Sequence, residues 1–74
     1  MLKKQLPYCL NYLARIWSDG VPGDSYFILR HQNFKTIGDA FRFVRDLKSG
    51  DTETCDRYLY KREGRRGFNF VNEY

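Results

Sequence analysis

The chain is poor in the side chains that most chemistry needs. It holds a single histidine, His31, and only two cysteines, Cys9 and Cys55. A tetrahedral zinc site needs more Cys and His than that, so no metal is expected. A Cys–His nucleophilic pair can be written on paper from His31 with Cys9 or Cys55, but no third group stands by to orient it. The expectation is no catalytic residue and no cofactor, with His31 a strand-end residue making one hydrogen bond. The carboxylates Asp19, Asp24, Asp51, Glu53 and Asp56 do not fall into a calcium-loop pattern and read as solvated turn residues. Gly64 and Gly67 flank two arginines with no helix to follow, so no phosphate-cradling loop is present.

Long apolar runs are also missing. Nothing approaches the about 18 uninterrupted residues of a membrane span. The start, MLKKQLPYCLNYLARIW, is interrupted by Asn11 and Arg15 and is followed by no small-residue cleavage site, so neither a signal peptide nor a membrane partner is expected. Two thiols far apart in sequence and in no metal-like spacing read as reduced thiols in a cytoplasmic protein. The sequence shows no repeat, linker or low-complexity segment.

What the chain does have is aromatic residues, 18% of the total, and a mildly basic balance of +4 with a pI near 9.3. Its 74 residues make one small domain, 1–74. A domain of that size buries only roughly 60% of its unfolded surface, and large rings help such a core cover enough area. The charge permits nucleic-acid or acidic-protein partners without demanding either.

The clearest structural unit is Tyr26 to Lys48. Tyr26, Phe27, Ile28 and Leu29 form an apolar run suited to a strand covered on both faces. Thr36 reads as a helix N-cap, with Asp39 in the first turn where the helix dipole favours negative charge. Ile37, Ala40, Phe41, Val44 and Leu47 then form one helical stripe, widened by Phe43. Ser49-Gly50 ends it, with Gly50 the expected left-handed cap. Upstream, residues 1–5 read as a basic, frayed start. Leu6, Cys9, Leu10, Leu13, Ile16 and Trp17 mark a first helix, with Pro7 in its opening turn. A rival reading makes Tyr12 to Trp17 a strand paired with Tyr26 to His31 across the turn-rich Ser18–Asp24 segment.

Downstream of an acidic loop over 51–56, RYLYKREGRRGFNFVNEY reads as a β-hairpin turning at Gly64-Arg65. That register sets Glu63 opposite Arg66, Lys61 opposite Phe68, Leu59 opposite Phe70 and Tyr58 opposite Val71. One face then holds Leu59, Phe68 and Phe70; the other holds Tyr58, Tyr60, Arg62 and Val71. Both are apolar enough for core, so the wet face stays open. The expected fold is α+β in the order α-β-α-β-β: a three-stranded sheet, or four-stranded on the rival reading, with a strand–helix–strand crossover extended by the hairpin and one or two helices on one face.

Function points to the hairpin. Arg57, Lys61, Arg62, Arg65 and Arg66 interleave there with Tyr58, Tyr60, Phe68 and Phe70, which pairs cations for phosphates with rings for base stacking. The run Arg66-Gly67-Phe68-Asn69-Phe70-Val71 resembles the third-strand signature of RNA-recognition-motif domains: basic, Gly, aromatic, small, aromatic, aliphatic. The order strand, helix, hairpin is similar to that family's early elements. The resemblance implies Phe68 and Phe70 as stacking rings. Asn69 departs from the small position, and Glu73 stands where an aromatic belongs. A structural role competes: alternation along a strand always turns one row inward, which would make Phe68 and Phe70 core and the arginines a solvated tip.

Two partner classes therefore remain from sequence: single-stranded nucleic acid, or an acidic protein or nucleoprotein complex. Tyr, Phe, Trp and Arg are the residue types of interface hot spots. Small size and this composition are similar to the inhibitor and accessory proteins that phages and mobile elements use to block a host enzyme or defence complex.

Overall fold

A computed structural model describes residues 6–18, 20 and 23–74, and for Arg66 the backbone alone. The expectations for residues 1–5, for Asp19 and for Val21-Pro22 lie outside these described residues. The elements are β1 (Tyr8–Trp17), β2 (Ser25–Phe34), α1 (Ile37–Ser49), β3 (Thr54–Arg62) and β4 (Phe68–Glu73). The strands form one antiparallel sheet in the order β2-β1-β3-β4, an α+β fold with one helix. The order is β-β-α-β-β, not α-β-α-β-β.

The correction lies in the first element. Residues 8–17 are a strand, and the spacing read as a helical stripe is also an alternation. Tyr8, Leu10, Tyr12, Ala14 and Ile16 are all apolar, with Leu10, Tyr12 and Ala14 buried. β1 pairs along its whole length with β2, from Tyr8↔Phe34 to Trp17↔Ser25, across the turn that the rival reading used. Aromatic and β-branched residues favour that pleated surface. β1 becomes the strand on which the others are laid, since it also pairs with β3.

β2 is an edge strand, not a strand covered on both faces. Tyr26, Phe27 and Leu29 are exposed, Leu29 at 70%. β1 runs antiparallel to both β2 and β3, so β2 and β3 run the same way and α1 connects them over the strand between.

α1 begins as its sequence dictates. The Thr36 hydroxyl accepts from the Asp39 backbone N–H at 3.1 Å. Asp39 in turn pairs with Arg42 one turn on. The end differs from expectation: Gly50 is extended (φ −84°), and its N–H bonds the Leu47 carbonyl. The stripe is also narrower than its pattern. Ala40 and Val44 are buried and Phe43 and Leu47 pack against them, while Ile37 and Phe41 stay exposed.

The core is the layer between α1 and one face of the sheet: Leu10, Tyr12, Ala14, Ala40, Val44 and Leu59. Phe43 ties the layers together, its ring 5.9 Å from Tyr12 and 5.3 Å from Phe34. Leu10 and Leu59 face each other at 0% exposure. Burying a side chain of this size stabilises by roughly 1.5–3 kcal/mol.

β3 starts at Thr54, so Cys55 and Asp56 belong to a strand and not to the loop expected there. The pairing with β1 slips between Asn11 and Leu13, and at this bulge Asp56 adopts φ +52°, a left-handed conformation that Asp tolerates. The hairpin turn is also longer than expected. A 3-10 turn over Gly64–Arg66 replaces the two-residue turn, closed by Glu63 N–H donating to the Gly67 carbonyl at 2.8 Å. Gly64 (φ +55°) and Gly67 (φ +98°) supply backbone conformations that other residues rarely adopt.

Candidate nucleic-acid interface

The turn decides which side chains share a face. Arg62 pairs with Phe68, Lys61 with Asn69 and Tyr60 with Phe70, one position away from the expected register. A slip of one residue sends every side chain of the strand to the other face. Leu59 and Val71 therefore go to the helix side, and Tyr58, Tyr60, Arg62, Phe68 and Phe70 gather on the face that no helix covers. A second bulge, between Leu59 and Tyr60, sets Tyr58 opposite Glu73.

On that face the rings touch. Tyr60 and Phe70 meet edge-on at 5.9 Å, and Tyr58 lies 6.2 Å from Phe70. The Arg62 guanidinium sits 4.9 Å over the Phe68 ring. Phe68 and Phe70 are 48% and 58% exposed. These rings are neither core nor buried under a neighbour. The local resemblance over Arg66–Val71 implies such outward rings, but the element order, with two strands before the helix, is not that family's.

The cations divide by place. Arg57 donates to the Tyr74 carbonyl at 3.1 Å, to the Thr54 carbonyl at 2.6 Å and to the Thr54 hydroxyl at 3.1 Å through Nε and Nη1, tying Tyr74 to the start of β3. Lys61 is exposed but on the helix side of the sheet, opposite Tyr8 and Asn69. Arg65 is exposed in the turn beside Arg66, so the tip is cationic. Among the described side chains of the group, Arg62 alone lies among the rings.

Beside Arg62 the face dips. A depression of about 250 Å³ is lined by Cys9, Asn11, Tyr60 and Phe68. The Cys9 thiol donates to the Asn11 side-chain oxygen Oδ1 at 3.7 Å. Burial pushes that thiol above its ordinary 9.0, and the nearby Arg62 charge pulls the other way. The Arg62 Nε–H is buried without a hydrogen-bond partner. At the opposite end Glu73, and then Asp56, push the Tyr58 phenol above its ordinary 10.0, so it stays an O–H donor.

Sequence reasoning missed the other half of this face, because a helix over residues 6–17 scatters its side chains. As a strand, β1 turns Cys9, Asn11, Leu13, Arg15 and Trp17 outward, and β2 adds Phe27, Leu29 and His31 beside them. Arg15 lies over both Phe27 (4.9 Å) and Trp17 (5.5 Å). Its Nε is 2.9 Å from the Glu53 carboxylate, off the N–H axis, so charge and not an aligned hydrogen bond holds this pair. The alternation of apolar residues from Tyr8 to Ile16 was the signal that could have found this half.

His31 lies opposite Asn11, and no hydrogen bond joins it to either thiol among the described residues. No group of three or more His, Cys, Asp or Glu side chains is placed to hold a metal among those residues. No helix is long and apolar enough to cross a membrane.

No protein-family model, curated protein or solved structure matches the chain.

Proposed function

We propose that this protein is a non-catalytic binding module that takes single-stranded nucleic acid on the helix-free face of its sheet. One observation carries the reading. Tyr58, Tyr60, Phe68 and Phe70 share that face on neighbouring strands, with Arg62 over Phe68 and Arg65 exposed in the turn that joins the strands. Exposed rings stack on bases of any sequence, and flanking cations follow the phosphates. A catalytic reading has less behind it: a thiol whose pKa is raised by burial is a poor nucleophile, and Cys9 points its proton at Asn11. The free thiols, Cys9 and Cys55, suit a reducing, cytoplasmic compartment.

Binding of labelled single-stranded RNA and DNA, measured by fluorescence anisotropy against salt, tests the proposal. Affinity should fall steeply as salt rises. Absence of binding at low salt overturns it.

A second reading draws on the β1–β2 half. There Trp17, Phe27 and Leu29 are exposed and Arg15 is neutralised by Glu53, so the surface is apolar and nearly uncharged. Such a patch suits a protein or nucleoprotein complex, as in a phage- or mobile-element-type inhibitor that blocks a host enzyme or defence complex. Pull-down with mass spectrometry tests it.

A further inference from the structure

The depression at Cys9 is a break in an otherwise ring-filled face. Across the sheet, Asn33, Cys9, Tyr60 and Phe70 lie in one row, and Cys9 is the smallest of them. The gap it leaves is bordered by Tyr60 and Phe68 and measures about 250 Å³. That is below the roughly 300 Å³ at which pockets for drug-sized ligands begin, and it suits a single flat ring system.

Its polar groups are unequal. The Asn11 carbonyl oxygen already accepts from the Cys9 thiol, which leaves the amide N–H groups free. The Arg62 guanidinium lies over Phe68, a wall of the gap, and its buried Nε–H has no acceptor. A buried donor without a partner is costly, but this Nε–H lies below the surface and Arg62 does not line the gap, so the Asn11 amide is the donor a ligand there would meet. The site therefore offers rings on its walls and one spare amide.

We propose that this depression is a subsite for one nucleobase, stacked against Tyr60 or Phe68 with the Asn11 amide bonded to the base edge. Every base offers that amide an acceptor, a carbonyl oxygen in thymine, uracil, guanine and cytosine or a ring nitrogen in adenine, so the subsite is not selective for one base. The subsite rests on the nucleic-acid reading above and adds to it a place and a contact.

Cys9 on the floor reports occupancy in the unmodified protein. Alkylation of Cys9 and Cys55 is followed by mass spectrometry with and without a deoxythymidine decamer. With the decamer about tenfold above its Kd, Cys9 modification should slow about tenfold by mass action, and by more than that of Cys55, which shares the face opposite Leu13 but does not line the gap. A decamer carrying 5-iododeoxyuridine should photocrosslink to Tyr60 or Phe68. Asn11→Ala should weaken deoxythymidine decamer affinity about threefold to tenfold, the worth of one hydrogen bond. Binding that leaves Cys9 unprotected, or crosslinks confined to Trp17 and Phe27, overturns the subsite and leaves the nucleic-acid reading standing. Failure of the thymidine decamer to bind at low salt overturns both.

Discussion

Tyr60 and Phe70 stand directly across from each other on β3 and β4, their rings edge to face at 5.9 Å on the side of the sheet that α1 does not cover. The pair exists because the hairpin turn holds one more residue of offset than a two-residue turn would. In the tighter register Phe70 would face Leu59 and join the core.

Phe70→Ala should weaken single-strand binding by about 1–3 kcal/mol, the usual worth of one stacking ring. Its ring is 58% exposed, so thermal unfolding should move little. Anisotropy titration beside a melting curve separates the two effects. A large stability loss with unchanged affinity would assign the ring to packing.

Arg65→Ala should lower the slope of log K against log salt by about 0.7, one phosphate contact on a single strand. Lys48→Ala, in the last turn of α1 and away from the rings, should leave the slope unchanged.

Arg57→Ala removes the bonds to the Tyr74 carbonyl and to Thr54. It should cost about 1–3 kcal/mol in urea unfolding, since the freed carbonyls lose a charged donor. Affinity at a temperature where the variant is folded should match the parent. A fall in affinity there would return Arg57 to the binding surface.

Asp56→Val forces a β-branched side chain into φ +52° and should destabilise by roughly 1–2 kcal/mol. Asp56→Gly relieves that conformation and should be tolerated far better in the same unfolding measurement.

The alkaline limb of stability carries a sign fixed by Cys9 and Tyr58. Both groups have folded pKa values above their ordinary 9.0 and 10.0, so the fold favours their protonated forms. Their contribution is complete below those ordinary values and is lost as pH rises through the folded ones. Arg62→Ala removes the charge that restrains Cys9, so the thiolate absorbance should titrate at still higher pH. Glu73→Gln should bring the Tyr58 phenol back toward 10.0.

Much of α1 was legible in the residues themselves, because its signals are local. Thr36 and Asp39 cap it through contacts three residues apart, and Ala40 and Val44 share one face by helical geometry alone. The C-terminal hairpin was legible as a hairpin for the same reason: turn residues sit between two aromatic runs. The interface was legible as a set of residue types but not as an arrangement. Arg57 looked like its neighbours in sequence, and only the fold shows its bonds to Thr54 and Tyr74.

Composition and local pattern determined that the chain forms a small α+β fold with an aromatic, cationic C-terminal hairpin. The tertiary structure decided that residues 8–17 are a strand, since that stretch satisfies both periods and only pairing with β2 on one side and β3 on the other selects one. It also decided which way the hairpin's rings point. Side chains alternate with a period of two, so one residue of turn length separates a buried row from an exposed one, and it is the fit of Leu59 against Leu10 beneath α1 that settles the choice.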